Sequence, residues 1–342
     1  MALGGARGGQ ATIKDVAKLA GVAVKTASRV VNREGKVSPD KVAAVEQAMR
    51  TLNYTPNLAA RQLRTQRANL IAFLIDRPSS YIASLQFAMI QACAGLDLNL
   101  VVEAVAAGEE ASSAERLRRL RVLGAVIASP LDVNGVLQHH LDASGVPYVL
   151  VSPMQSGIRS TTIGMDDFGA AKAMTNLLIA GGHRRIGFVV GPPANPVSAL
   201  RRAGHYAALQ DHAIPLEPAL ECQADTYLFD SGLATAGQLL RLAQRPTAIF
   251  ASNDYLALAV FRVAAQLGLR VPADLSVVGF DDVPAAAMAQ PGLTTVRQPL
   301  DAIGRQAIDI LVSGQTAHYR HIGLGFDLVQ RESLASPSLG SL

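Results

Sequence analysis

Residues 12–63 read TIKDVAKLAGVAVKTASRVVNREGKVSPDKVAAVEQAMRTLNYTPNLAARQL. Two short helical patterns flank a turn at Ala20-Gly21-Val22, and a third pattern follows. The first spans about 13–20. Thr12 stands at its N-cap with Asp15 three positions on, a near capping box. Ile13, Val16, Ala17 and Ala20 share one apolar face. Gly21 makes the turn, because a positive φ there costs glycine nothing. The second pattern spans about 24–32. Ala27, Val30 and Val31 turn inward and leave Lys25, Thr26, Ser28, Arg29 and Asn32 outward. Lys25 and Arg29 are i,i+4 neighbours on that outer face. The third pattern starts at Ser38-Pro39, serine at the cap and proline in the first turn. Val42, Val45, Met49 and Leu52 form its core face. A small basic three-helix unit of this kind lays its second helix in a DNA major groove. There arginine pairs bidentately with guanine, while Thr, Ser and Asn suit phosphates.

Charge supports that reading. Residues 1–67 hold 12 Lys/Arg and 4 Asp/Glu, a net of +8, whereas residues 68–342 hold 19 and 23, a net of −4. A basic N-terminal module on a mildly acidic body is the footprint of a nucleic-acid-binding head. Residues 1–10 are Gly-rich with no apolar run, so neither a signal peptide nor a membrane anchor is expected. No later stretch is long and apolar enough to span a bilayer. Cys93 and Cys222 are far apart and sit in no CxxC or Cys/His cluster. They read as reduced thiols of a cytoplasmic protein, with no metal site.

From Asn69 onward short apolar runs alternate with helical patterns. NLIAFLI (69–75), LNLVVEAV (98–105), GAVIAS (124–129) and VPYVLVS (146–152) form one series. RRIGFVVG (184–191), TAIFAS (247–252) and LSVVGF (275–280) form a second. Helical stretches at about 170–180 and 254–267 intervene. This is the rhythm of parallel sheets covered on both faces. Two series predict two α/β lobes. Ligands of such sheets bind beyond the carboxyl ends of the strands, which places a site in the cleft between lobes.

IKDVAKLAGV, SRVVN, VSPDK, LNYTPN and AARQL closely resemble the LacI/GalR family of bacterial transcription regulators. GGHRRIGFVVG, RRAGHYAAL, PTAIFASNDYLALAV, GLRVPADLSVVGFDD and LTTVRQPL resemble the body of the same regulators, which is related to periplasmic binding proteins. The expected fold is therefore α/β: an all-α helix-turn-helix head and hinge helix, then a two-lobed periplasmic-binding-protein-like body with two parallel-type sheets. The expected division is a disordered tail at 1–11, the head at 12–56, a hinge helix and linker at 57–68, a two-lobed effector-binding and dimerisation domain at 69–330, and a tail at 331–342.

The resemblance assigns residues. Val24, Lys25 and Arg29 match the base-reading positions; Thr12, Thr26, Ser28, Asn32 and Lys36 match contacts to the DNA backbone. In the hinge, which the family folds into a helix on its operator, Asn57, Ala60 and Leu63 match minor-groove and helix–helix contacts. Leu63 matches the wedge that kinks the duplex. Two positions depart from the pattern. Ala23 stands where the family has Ser or Thr, removing a cap worth roughly 1 kcal/mol, and Ala27 replaces the usual Val. In the body, Arg201, Asn253, Asp281 and Gln298 match polar cleft residues, and Tyr227 falls near the ligand-stacking aromatic. Ser152 stands where sugar-binding relatives often carry Asp.

The resemblance implies a transcription regulator, foremost a repressor, that binds double-stranded operator DNA as a homodimer. Its operator affinity responds to a small carbohydrate-like effector in the cleft. A nucleobase effector stays open, and so does a sugar-binding protein without DNA function, although that reading leaves the head unexplained. An enzyme would need a nucleophile, phosphate-loop or dinucleotide motif, and none stands in the chain. No cofactor is expected. GLGF at 323–326 is too short for a phosphate loop. The segment RESLASPSLGSL lacks an apolar heptad, so a coiled-coil tetramer is not expected. The stripe Ile82, Leu85, Met89 and Ala92 on a helix over about 81–95 is the candidate dimer seam, with core packing as its rival.

Overall fold

The computed structural model describes residues 11–31, 35, 37–54, 69–152, 160–193, 195–317 and 319–337. The chain divides into two units between Arg67 and Ala68. The first unit holds α1 (Ile13–Leu19), α2 (Val24–Val31) and α3 (Pro39–Thr51). Thr12 precedes α1, and the Asp15 carboxylate accepts from its backbone N–H at 2.9 Å and its hydroxyl at 2.7 Å. Gly21 makes the turn at φ 64°. Val16, Ala17, Ala27, Val45 and Ala48 are buried where the helices meet, and Val30, Met49, Leu52 and Tyr54 pack around them. Val31 is half-buried and stands outside that cluster.

The second unit has two lobes. The first contains β1 (Leu70–Ile75), α4 (Ser80–Ala94), β2 (Asn99–Ala104), α5 (Glu110–Leu120), β3 (Gly124–Ala128), α6 (Val136–Ala143), β4 (Tyr148–Val151) and β5 (Thr162–Met165). α12 (Leu300–Ser313) and β11 (His321–Leu324) return to it late in the chain. Its six strands run β11-β5-β4-β3-β1-β2, all parallel. The second lobe contains α7 (Asp167–Ala180), β6 (Ile186–Val190), α8 (Pro196–Asp211), β7 (Glu221–Gln223), α9 (Phe229–Leu240), β8 (Ala248–Ala251), α10 (Asp254–Gln266), β9 (Ser276–Val278) and α11 (Pro284–Met288). Its parallel sheet runs β7-β6-β8-β9, beside an antiparallel pair of β10 (Thr295–Arg297) and β12 (Asp327–Val329). Each sheet has apolar clusters against both faces. Fully buried Phe73, Phe188, Phe250 and Phe280 anchor them, each contributing about 1.5–3 kcal/mol.

The chain crosses between lobes three times: at Asp166 after β5, at Gln298-Pro299 before α12, and at Gly325-Phe326 after β11. GLGF is thus the end of an edge strand and a crossing. Two expectations are corrected. Ile82, Leu85 and Met89 lie inside the first lobe's own core with Ala92 packed against them, so this stripe is no dimer seam. The outer side of α4 instead exposes Phe87 and Ile90. The body also continues past residue 330. Arg331 donates to Leu293 O and Asp282, Ser333 bridges Thr294 and Val277, and Ala335 bonds to His183 and Ser276. Among the described residues no helix is long and apolar enough to cross a membrane.

Candidate functional site

The head presents α2 outward. Lys25 and Arg29 are exposed and form no ion pair among the described residues, and Val24 beside them is 45% exposed. Thr26 and Ser28 are half-buried on the flanks, and Thr12 is exposed at the start of α1. The start of α2 has only backbone closure: the Ala23 carbonyl accepts from Thr26 and Ala27 N–H at 2.8 and 3.0 Å. Its methyl offers no acceptor to the free N–H groups there. Ala27 is fully buried against α1 and α3. Asn32, Lys36, Asn57, Ala60 and Leu63 lie outside the described residues.

In the body, five of the six sequence-predicted cleft residues meet around Arg201. This residue sits one turn into α8 and is 4% exposed. Its Nε donates to Asp167 Oδ1 at 2.8 Å and its Nη1 to Ser252 O at 2.6 Å, with Asp281 Oδ1 3.7 Å away. The guanidinium lies 3.6 Å over the Phe280 ring, a cation–π contact strengthened by desolvation. Burial works against its charge, yet Asp167, Tyr227 and Asp281 outweigh that and raise its pKa above the ordinary arginine value.

Asp281 follows β9 in a left-handed conformation, φ 113°, the kind of backbone strain that persists where surroundings over-determine a residue. Gln298 Nε2 donates to its Oδ1 at 2.6 Å. Burial pushes its carboxyl up to about 6 despite the opposing pull of Arg201 and Gln298. The Tyr227 hydroxyl shares a 2.8 Å bond with Ser198 Oγ. Its ring lies so close to Gly191 that a Cβ there would come within 2.4 Å of it. Asn253 stands behind it. Its Oδ1 caps α10 through Leu256 N–H and its Nδ2 donates to Tyr227 O at 3.0 Å. Both ends of that amide are engaged, so Asn253 braces the aromatic residue from behind.

Ser152 follows β4 on the first lobe with φ 51°. Its hydroxyl bonds to Tyr81 Oη at 2.9 Å. Burial raises the Tyr81 phenol to about 12, and Asp167, Asp281 and Arg201 all lie within its electrostatic reach. Tyr81 and Asp167 are the site residues that sequence reasoning missed. Tyr81 opens the helix after β1 and Asp167 opens the helix after β5, so the strand-end rule points to both. A cavity of about 520 Å³ adjoins the cluster at Asp167 and Ser152, lined also by Met165, Asp166, Phe168, Leu200 and His321; Arg201, Tyr227, Asn253, Asp281 and Gln298 are not in its lining. That volume suits a small molecule, since such sites run about 300–1,000 Å³. Among the described residues no group of His, Cys, Asp or Glu could hold a metal.

Comparison with known proteins agrees with both halves. The profile "Bacterial regulatory proteins, lacI family" matches residues 12–57, and "Periplasmic binding protein-like domain" matches residues 175–334. The HTH-type transcriptional regulator CelR of Thermobifida fusca is 33% identical over 341 residues, covering 94% of this chain and 98% of its own. Among solved structures, the lac repressor dimer bound to operator and the anti-inducer ONPF superposes with a TM-score of 0.78 at 30% identity, over 96% of this chain and 100% of that one. The CelR–cellobiose complex gives 0.71 at 30% identity, over 94% and 99%.

Proposed function

Because this chain belongs to the LacI family of bacterial regulatory proteins, we propose that it is a sequence-specific, DNA-binding transcriptional repressor controlled by a small carbohydrate held between the lobes of its body. The observation that carries the reading is the pairing, in one chain, of an exposed basic helix with a buried Asp167–Arg201–Asp281 cluster in a two-lobed cleft. The protein works in the cytoplasm as a homodimer, each head reading half of a pseudo-palindromic operator. Lys25 and Arg29, with Val24, read base edges. Thr12, Thr26, Ser28, Asn32 and Lys36 hold the phosphates. Asn57, Ala60 and Leu63 serve the minor groove and the contact between hinges. The functional units are the head at 12–56, the hinge at 57–68 and the body from 69 onward.

Carboxylate and guanidinium side by side suit vicinal hydroxyls, and Tyr227 suits the apolar face of a sugar ring. The solved CelR relative carries cellobiose, which supports the carbohydrate class. Effector binding shifts operator affinity only if it favours one lobe arrangement, and a coupling of about 1–3 kcal/mol gives a several-fold to hundredfold change.

The test selects an operator from genomic DNA, then titrates it by fluorescence anisotropy with and without a panel of sugars and purines. A sugar is expected to change affinity. Arg29→Ala is expected to weaken operator binding by about 1–3 kcal/mol per lost bidentate contact while leaving effector affinity intact. Equal operator binding by wild type and Arg29→Ala removes α2 from the reading surface. A purine response with no sugar response removes the carbohydrate.

A further inference from the structure

The cleft also constrains the charge of its ligand, an inference that rests on the cleft being the effector site. One guanidinium there serves two carboxylates. Arg201 gives its Nε to Asp167 and its Nη1 to Ser252 O, with Asp281 at 3.7 Å. Asp167 also lines the adjoining cavity, together with Phe168, Leu200, His321 and Asp166, whose Oδ1 caps α7 through Gly169 N–H at 2.8 Å. Among the described residues no Lys or Arg side chain lines that cavity. The nearest basic residues by sequence are committed elsewhere: Arg202 pairs with Glu221, and Lys172 with Asp211. Among the described residues carboxylates therefore outnumber Lys and Arg side chains around Arg201 and the cavity beside it.

Both carboxylates keep one oxygen open to a ligand. The second carboxylate oxygens of Asp167 and Asp281 accept no hydrogen bond among the described residues, and Arg201 Nη2 donates none. Ionised carboxylates only accept, whereas a guanidinium only donates. Arg201 keeps one Nη1 and both Nη2 hydrogens unused, so the cluster offers open donors as well as the two open carboxylate oxygens. A ligand that matches them must bring hydrogen-bond donors. A phosphate or carboxylate brings acceptors and negative charge, and would leave the aspartates facing an anion in a desolvated site. A hydroxyl group both donates and accepts, so adjacent hydroxyls can satisfy Asp281 and Arg201 together.

We propose that the effector is an uncharged, donor-rich polyol, unphosphorylated and uncarboxylated, and that Asp167 and Asp281, which share the single cation Arg201, act together as an anion filter on the cleft. Sugar phosphates and sugar acids built on the same ring are rejected by these carboxylates rather than by size. The regulator thereby reports the free sugar, before any kinase or oxidase has acted on it.

The test titrates the full-length protein calorimetrically with matched ligands: glucose, glucose 6-phosphate, glucuronate and glucosamine; ribose and ribose 5-phosphate; cellobiose; hypoxanthine and its ribonucleoside monophosphate. Within each set the neutral member is expected to bind at least a hundredfold more tightly than the anion. Asp167→Asn is expected to narrow that gap at least tenfold. An anion binding as tightly as its neutral partner overturns the proposal, whereas glucosamine binding as tightly as glucose overturns only the uncharged polyol and leaves the anion filter standing. If hypoxanthine binds, its monophosphate does not, and no sugar does, the polyol fails with the carbohydrate reading, while the anion filter stands. Inorganic phosphate provides a probe independent of the natural ligand. It is expected to raise the melting temperature no more than chloride at equal ionic strength. Stabilisation by phosphate in the wild type that disappears in Arg201→Lys overturns the filter.

Discussion

The head and the cleft hold their functional side chains in opposite ways. In the head, Lys25 and Arg29 are exposed on α2 of a three-helix unit whose core is small: Val16, Ala17, Ala27, Val45 and Ala48 are its buried apolar residues. In the cleft, Arg201, Asp167, Asp281, Gln298 and Tyr227 are tied to one another or to their lobe before any ligand arrives. The first arrangement leaves binding groups free and puts little into the scaffold. The second preorganises binding groups by burying charge, so function and stability share the same atoms. A surface substitution in the head should therefore change recognition alone, whereas a substitution in the cleft should change both.

The largest effect that would break this contrast lies at Arg201. Arg201→Ala leaves Asp167 and Asp281 buried without their cation, and removing one partner of a buried ion pair costs about 3–5 kcal/mol. Lys25→Ala, on an exposed helix face, should stay within about 0.5 kcal/mol. Urea denaturation followed by far-UV circular dichroism checks both. Equal midpoints for the two variants would mean that the cleft cluster contributes nothing to the body's stability.

The next effect concerns pH. Asp281 titrates near 6 in the folded protein against an ordinary 3.8. Between those values the folded state holds the extra proton, so stability from this group falls as pH rises through about 4 to 6 and stays lost above it. The full swing is about 3 kcal/mol. His205 has the opposite sign. Burial lowers its pKa to about 3, so its contribution is lost as pH falls below the ordinary histidine value. The raw curve mixes the two. The difference between wild type and Asp281→Asn, measured by denaturation at pH 4, 5, 6 and 7, isolates the aspartate. That difference should change steadily in favour of the variant as pH rises, and a flat difference would show that Asp281 is not held away from water.

The same contrast explains what the sequence disclosed. Features set by short spacings were legible: the Thr12–Asp15 contact, the positive φ at Gly21, the outward Lys25–Arg29 pair, and the apolar runs that became β1–β4, β6, β8 and β9. Short strands with mixed faces were not. β5 and β11 carry Thr162, Gly164, His321 and Gly323 among their apolar residues, and they pair only with each other and β4. The apolar stripe of α4 was ambiguous because α4 is apolar on more than one side, with Phe87 outside and Leu85 inside. Resemblance points to Arg201 and Ser152 as cleft candidates, but their surroundings depend on partners 34 and 71 positions away in sequence, Asp167 for Arg201 and Tyr81 for Ser152. No local pattern encodes such pairs.

The smallest effect sharpens the account of the head. Ala23 leaves the start of α2 closed by its backbone alone, and a unit of this size has a thin stability margin. Ala23→Ser supplies a hydroxyl that can accept from the N–H groups at the start of α2, a gain of about 1 kcal/mol. The gain should appear in amide exchange of α1–α3 and leave the body unchanged, because the two units have separate cores. Operator affinity should rise by no more than the same amount, about fivefold, and only to the extent that DNA binding completes the folding of the free head. Slower exchange in the head with unchanged affinity would mean that the free head is already fully folded. Unchanged exchange would mean that Val24 and Lys25 leave no room for the serine to turn inward.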